Sequence, residues 1–296
     1  MPFLWLVFFA YYLASTLLHL YISNLLFVNP ITTPFGSFQV SDYMGTFGKT
    51  TLFLLALYLA FRCLKGTFRL VTISYWGIWL VTVLVTSRFL LFHPNEYIHY
   101  PQYAILAVLL ALCIDSDRSK VPWARILFWT TFMGVLDEMN QYFFLCKTHG
   151  GYLDFNDMLM NLQGAQSGLL LLYGFSQLSH QRVIASTPLH IFKSILFSCE
   201  GIVFFIILCL SCFFVFTGNL HLTAPHKIPP GGILTINGNL TIFLERLPLM
   251  MGSWNQTPMG RLYYILTPLE GVAAFIMSGL LYSSFIIWGN RSNKIF

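Results

Sequence analysis

The stretch Asp154-Phe155-Asn156-Asp157-Met158-Leu159-Met160-Asn161-Leu162-Gln163-Gly164, running on to Gly168, decides how this chain is read. Asp154 has the character of an N-cap, a short acid just ahead of an apolar helix. Beyond it Asp157, Asn161, Gly164 and Gly168 recur at intervals of four, three and four, so they form one stripe along a helix. The upper part of the stripe is polar. The lower part is a small-xxx-small contact, against which a second helix can approach closely, as in membrane bundles. Packing on the glycines therefore draws Asp157 and Asn161 toward the bundle interior.

Two neighbouring segments carry matching groups. Glu96, His99 and Tyr103 fall on one helical face. Gly134-Val135-Leu136-Asp137-Glu138-Met139-Asn140-Gln141 closes another helix. There Asp137 and Glu138 stand about 100° apart and both can border one cavity. Two carboxylates at a helix C-terminus oppose its dipole, so a cation, a proton or a partner helix is expected to compensate.

The surroundings are those of a membrane protein. Of 296 residues, 56% are hydrophobic and 9% charged, far below the ~25% charge of a soluble domain. Eight apolar runs are expected to span, near 3–28, 45–64, 70–92, 98–115, 123–145, 155–178, 190–217 and 262–288. The net charge of +5 lies in short loops, a pattern that sets orientation and gives no footprint for nucleic acid. With the N-terminus inside, Lys and Arg divide ten inside against five outside, which puts both termini in the cytoplasm. The start has no basic n-region and no small-residue cleavage site, so a retained first helix is expected. The six cysteines lie in or beside apolar runs without metal-ligand spacing.

In this topology the fourth run starts outside, the fifth ends outside and the sixth starts outside. The three polar groups then meet at one extracytoplasmic level, and polar groups inside a membrane bundle mark a site. Two outer segments are long. Residues 29–48 hold the turn formers Asn29-Pro30, Pro34 and Gly36. Residues 218–261 hold Asn237-Gly238 between two β-prone runs, which predicts a small β-hairpin lid. Asn239 and Asn255 each begin a glycosylation sequon.

The order Glu96-x-x-His99-x-x-x-Tyr103, Asp137-Glu138-x-x-Gln141 and Asp157-x-x-x-Asn161-x-x-Gly164 resembles the VanZ-like family of membrane proteins, over roughly residues 68–178. That family often carries an Arg in the loop before the last Asp. Here Lys147 and His149 are its only stand-ins. The founding member is associated with resistance to the glycopeptide teicoplanin, and the family has been placed with four-helix lipid enzymes such as phosphatidylserine synthases. The resemblance implies a bacterial plasma-membrane protein acting on a phosphoester or headgroup at the membrane surface. Carried over by motif position, the site is His99, Tyr103, Asp137, Glu138, Gln141, Asp157 and Asn161.

The expectation is thus an all-α polytopic membrane protein with a VanZ-like core of four helices, 68–178. A helical pair, 1–67, precedes it, and a pair with an extracytoplasmic loop, 179–296, follows. His99 is the expected base or nucleophile. Asp137, Glu138 and Asp157 would hold a divalent cation or position His99, while Gln141 and Asn161 orient a lipid-linked substrate. Two other readings remain open. One is a non-catalytic protein that binds lipid or antibiotic. The other is an ion-coupled transporter using Glu200 and Glu270, acids within the last two runs. Arg88, near the outer end of the third run, could contact a phosphate or reach the headgroups.

Overall fold

The computed structural model describes residues 2–23, 31–34, 36–38, 41–65, 70–116, 122–145, 151–174, 198–228, 231–257 and 260–283. Among these are eight α-helices: α1 (Pro2–Ser23), α2 (Ser41–Leu64), α3 (Leu70–Phe89), α4 (His99–Ile114), α5 (Trp123–Asn140), α6 (Phe155–Tyr173), α7 (Cys199–Phe216) and α8 (Pro268–Ser283). Each falls on one of the eight apolar runs. Three segments are long and apolar enough to cross a membrane: Gly45–Leu64, Pro94–Ile114 and Cys199–Phe216. The polar residues that build the site also lower the hydropathy of α5 and α6.

The centre of the molecule is α6, which packs against α3, α4, α5 and α8. It is buried on nearly every side, so its polar residues need internal partners. They have them. Asn156 donates to the Leu90 and Tyr264 carbonyls (2.9 and 2.8 Å) and accepts from the Leu266 amide (3.0 Å). Gln163 donates to Thr86 Oγ1 (2.8 Å) and accepts from the Tyr100 hydroxyl (3.1 Å). Gln166 reaches Ser278 of α8.

The glycine stripe is a helix contact, as its spacing predicts. A methyl group on Gly164 would stand 2.7 Å from the Tyr100 carbonyl oxygen and 2.9 Å from that of His99, and one on Gly168 would press into the Ala104 carbonyl. Only glycine lets α4 and α6 come this close. The bundle also reaches beyond residues 68–178. On α1, Tyr11 donates to the Gln102 carbonyl (3.0 Å) and Tyr12 to the Met133 carbonyl (3.3 Å), while Gly271 of α8 abuts the Phe155 ring.

The expected hairpin is present. Strand β4 (Ile233–Ile236) pairs antiparallel with β5 (Asn239–Glu245), closed by Asn237 and Gly238 at φ 52° and 81°. Positive φ at both central residues fits a primed turn, which suits Asn-Gly. Strand β3 (Leu220–Thr223) adds parallel to the far side of β5. Two short antiparallel ribbons form separate sheets, β1 (Ile31–Thr33) with β2 (Gly36–Phe38) and β6 (Trp254–Gln256) with β7 (Leu262–Tyr264). The Asn29-Pro30 turn and the Lys147 and His149 stand-ins lie outside the described residues.

Candidate functional site

The site is built where α4 begins, α5 ends and α6 begins. A 3-10 turn, Pro94–Ile98, leads into α4. Glu96 closes that turn by accepting from the Phe92 and His93 amides (2.8 and 3.0 Å), so its carboxylate is a cap. His99 follows and points into the bundle, where it is buried. Helix α5 gives way at Gln141 to a single π-helical turn, Gln141–Leu145, just after its two acids. Asp154 is the N-cap of α6, accepting from the Asn156 and Asp157 amides (2.9 and 3.1 Å). Gly134 thins α5 where it faces Asn161 and Tyr103; a methyl group there would lie 3.1–3.2 Å from both.

The side chains meet in a defined order. Asn161 Oδ1 lies 2.8 Å from His99 Nδ1, and Asn161 Nδ2 donates to Glu138 Oε1 at 3.3 Å. Because the nitrogen end of the amide is used on a carboxylate, its oxygen faces the imidazole, and His99 Nδ1 must carry the hydrogen. His99 Nε2 is then left to face Asp157 Oδ2 at 3.4 Å. A neutral imidazole would aim a lone pair at that carboxylate. The arrangement is favourable only with a proton or a cation between them.

Asp137 is placed differently from its neighbour. It is buried and accepts from the Tyr103 hydroxyl (2.9 Å), and the Tyr103 ring stacks beside His99 with centroids 6.4 Å apart. The expected cation ligands Asp137, Glu138 and Asp157 are thus redrawn. The structure gathers His99, Glu138 and Asp157 instead, with one donor atom from each within 4.8 Å of the others. The reason is the angular offset of adjacent helical residues, which sends Asp137 to Tyr103 and Glu138 to Asn161. Donors on one tetrahedral ion with bonds of about 2.0–2.2 Å stand roughly 3.4 Å apart, so the trio must draw in to hold one. Asp157 Oδ1 is buried without a hydrogen-bond partner, and Asp137 Oδ1 makes no hydrogen bond of good geometry although the Gln141 amide and the Thr16 hydroxyl stand beside its carboxylate. Spare oxygen acceptors in a carboxylate-rich pocket suit a cation. The hydrogen bond behind the ring also fits: a metal-binding His usually donates its other N–H to an oxygen, here Asn161 Oδ1.

Burial, then the neighbouring Asp157 charge, pushes Asp154 up to about 7. Arg88 does not enter the site; it is exposed, with its guanidinium over the Phe89 ring. Arg261, which sequence reasoning passed over, reaches the carbonyls of Ser87, Leu91 and Phe92 and so closes the C-terminal end of α3. Lys or Arg near a helix C-terminus is the rule it follows, hidden here by sequence distance.

The β-layer sits directly above. The Leu153 amide donates to the Leu244 carbonyl (2.8 Å), the Arg246 amide to the Gly151 carbonyl (2.7 Å) and the Tyr142 hydroxyl to the Phe243 carbonyl (2.7 Å). The segment entering α6 is therefore stitched to β5. The carboxylates of Glu200 and Glu270 lie in the first turns of α7 and α8 and are engaged there. Glu200 pairs with Arg125 Nε (2.8 Å) and accepts from the Trp129 indole. Glu270 caps α8 through Thr267 and accepts from the Tyr264 hydroxyl. No family profile, curated protein or solved structure matches the chain.

Proposed function

We propose that this chain is a VanZ-like integral membrane protein of about eight spans. On this reading it transfers or hydrolyses a lipid-linked phosphoester or headgroup at the outer leaflet, using a divalent cation held by His99, Glu138 and Asp157. The observation that carries the proposal is the imidazole between Asn161 and Asp157. Both ring nitrogens are engaged, so His99 serves better as a ligand than as a free base or nucleophile. A bound cation supplies charge stabilisation to phosphoryl oxygens.

The chain's own residues do the rest. Asn161 fixes the imidazole tautomer and ties it to Glu138. The Asp137–Tyr103 pair sets the wall beside the ring, and the Gln141 amide stands beside Asp137. The β-layer over the α6 N-terminus covers the entrance. Lipid mass spectrometry of cells with and without the protein, with His99→Ala as control, tests this. A lipid species that changes with the wild type and not with His99→Ala supports it. Equal lipid profiles in all three strains overturn it.

A second reading, a non-catalytic lipid-binding protein, has one observation in its favour. The cluster is nearly sealed: His99 is 2% exposed and Asp157 14%. A binder would act alike with Glu138→Gln, whereas the enzyme would stop.

A further inference from the structure

The ribbon of β6 and β7 stands apart from the three-stranded sheet, and its two faces differ. Cross-strand partners share a face, so the pairs Trp254–Tyr264 and Gln256–Leu262 lie on one side and Asn255–Tyr263 on the other. Tyr263 is buried, with its ring 5.1 Å from that of Phe92. The opposite face is open and largely apolar, with Trp254 and Leu262 each 56% exposed. Tyr264 borders it through a hydroxyl held by Glu270, and Leu269, next to that acid, is 80% exposed. Residues 247–260, which include β6 and the loops on either side, carry no charge. A sheet face turned to water is ordinarily polar. The loop ahead of β6 also presents Leu249 at φ 67°, a conformation that a bulky side chain adopts at a cost. The Glu245 carboxylate holds that loop by accepting from the Met250 and Met251 amides (3.0 and 2.9 Å).

The position of the ribbon says what covers this face. All three membrane-length segments have an end at its level. Pro94–Ile114 begins just after Phe92, which touches Tyr263. Gly45–Leu64 has Gly48 beside the Tyr97 ring of the turn that leads into α4. Cys199–Phe216 stops just short of β3. The face is also continuous with the bundle's own outer surface, because Trp254 packs edge-to-face on Phe89, the last residue of α3, with centroids 6.1 Å apart. The exposed Arg88 guanidinium stands over that same Phe89 ring, and among the described residues no carboxylate pairs with it. Tryptophan, tyrosine and an arginine with a free charge, grouped at the end of apolar helices, are the side chains of the headgroup level. The rings sit there with one wet edge, and the arginine reaches the phosphates.

We infer that the outward face of the β6–β7 ribbon is inserted in the lipid leaflet on this side of the bundle, the outer one in the proposed orientation. Trp254, Leu262 and Leu269 lie among the glycerol and upper acyl groups, and Arg88 meets lipid phosphate. The ribbon is then a membrane contact and not part of a water-facing lid. Its buried side is tied to the helix that carries Asp157 and Asn161, since Asn156 donates to the Tyr264 carbonyl and accepts from the Leu266 amide. The inference rests on the membrane-length segments and on the ribbon. It is independent of His99 and its partners.

The test uses the full chain, labelled with fluorotryptophan, in nanodiscs of phosphatidylcholine. The fluorine resonance of Trp254 is identified by its loss in Trp254→Phe or, equally, in Trp254→Tyr, and all readings are made on the wild type. Phosphatidylcholine with a nitroxide high on its acyl chain reads contact with lipid. A water-soluble paramagnetic chelate reads contact with water. The buried Trp123 is the internal reference. The lipid nitroxide is expected to broaden Trp254 more than Trp123, and the chelate to leave Trp254 largely sharp. Broadening by the chelate without broadening by the nitroxide places the face in water and overturns the inference. Shielding from both agents overturns it as well, because it means a protein partner, such as a second copy of this chain. The lipid profile of His99→Ala cells bears on the proposed function alone, so the two can fail separately.

Discussion

Gly164→Ala offers a quantitative test of the seam that carries the site. The added methyl would lie 2.7 Å from the Tyr100 carbonyl oxygen, 2.9 Å from that of His99 and 3.1 Å from the Tyr100 Cα. All three are backbone atoms of α4 and cannot swing aside. Relief requires α4 and α6 to separate by about half an ångström, and overpacking of this kind costs about 1–3 kcal/mol. Alanine returns up to about 1 kcal/mol in helix propensity. The net expectation is a loss of about 1–2 kcal/mol, read by denaturant titration in mixed micelles. The same separation would stretch the 2.8 Å contact between His99 and Asn161 to about 3.3 Å and weaken it. Gly77→Ala is the control, because a methyl there meets nothing and should be neutral or stabilising. If Gly164→Ala proves as stable as Gly77→Ala, the close approach of α4 to α6 is wrong, and the site built on it fails too.

Other expectations follow from the same contacts. Asn161→Ala removes the partner of both His99 and Glu138 and should cost about 2–4 kcal/mol by the same titration, since buried polar groups left unpaired cost about 1–3 kcal/mol each. Asp154, raised to about 7 from the usual carboxyl range, binds its proton more tightly when folded. Its contribution to stability is therefore full below pH ~4 and is lost as pH rises through ~7. Asp154→Asn keeps a cap oxygen and should flatten the fall in unfolding midpoint over that window. Glu200→Gln breaks a half-exposed pair with Arg125 and should cost no more than about 1 kcal/mol. It should leave any His99-dependent lipid change intact, whereas a transporter coupled through Glu200 would lose function.

Much of this arrangement was legible in the sequence because it rests on periodicity. The stripe from Asp157 to Gly168 announced both the site helix and its packing face, and Asn237-Gly238 announced the hairpin. What stayed hidden depends on neighbours distant in sequence. Asp137 and Glu138 look alike in the chain, and only the flanking helices send one to Tyr103 and the other to Asn161. Asn156 and Gln163 look like further site residues, yet they are satisfied by backbone and hydroxyl groups of other elements. Glu96 belongs to the motif by spacing and serves as a cap by geometry. The parallel addition of β3 to β5 has no local signal, because turn chemistry describes only consecutive strands.

The most direct test of the central claim is a Mn²⁺ titration of the purified chain, followed by electron paramagnetic resonance. One bound ion per chain is expected, with affinity reduced at least tenfold in His99→Ala and in Asp157→Asn and little changed in Arg88→Gln. No bound ion, or an ion held equally well without His99 and Asp157, would contradict it.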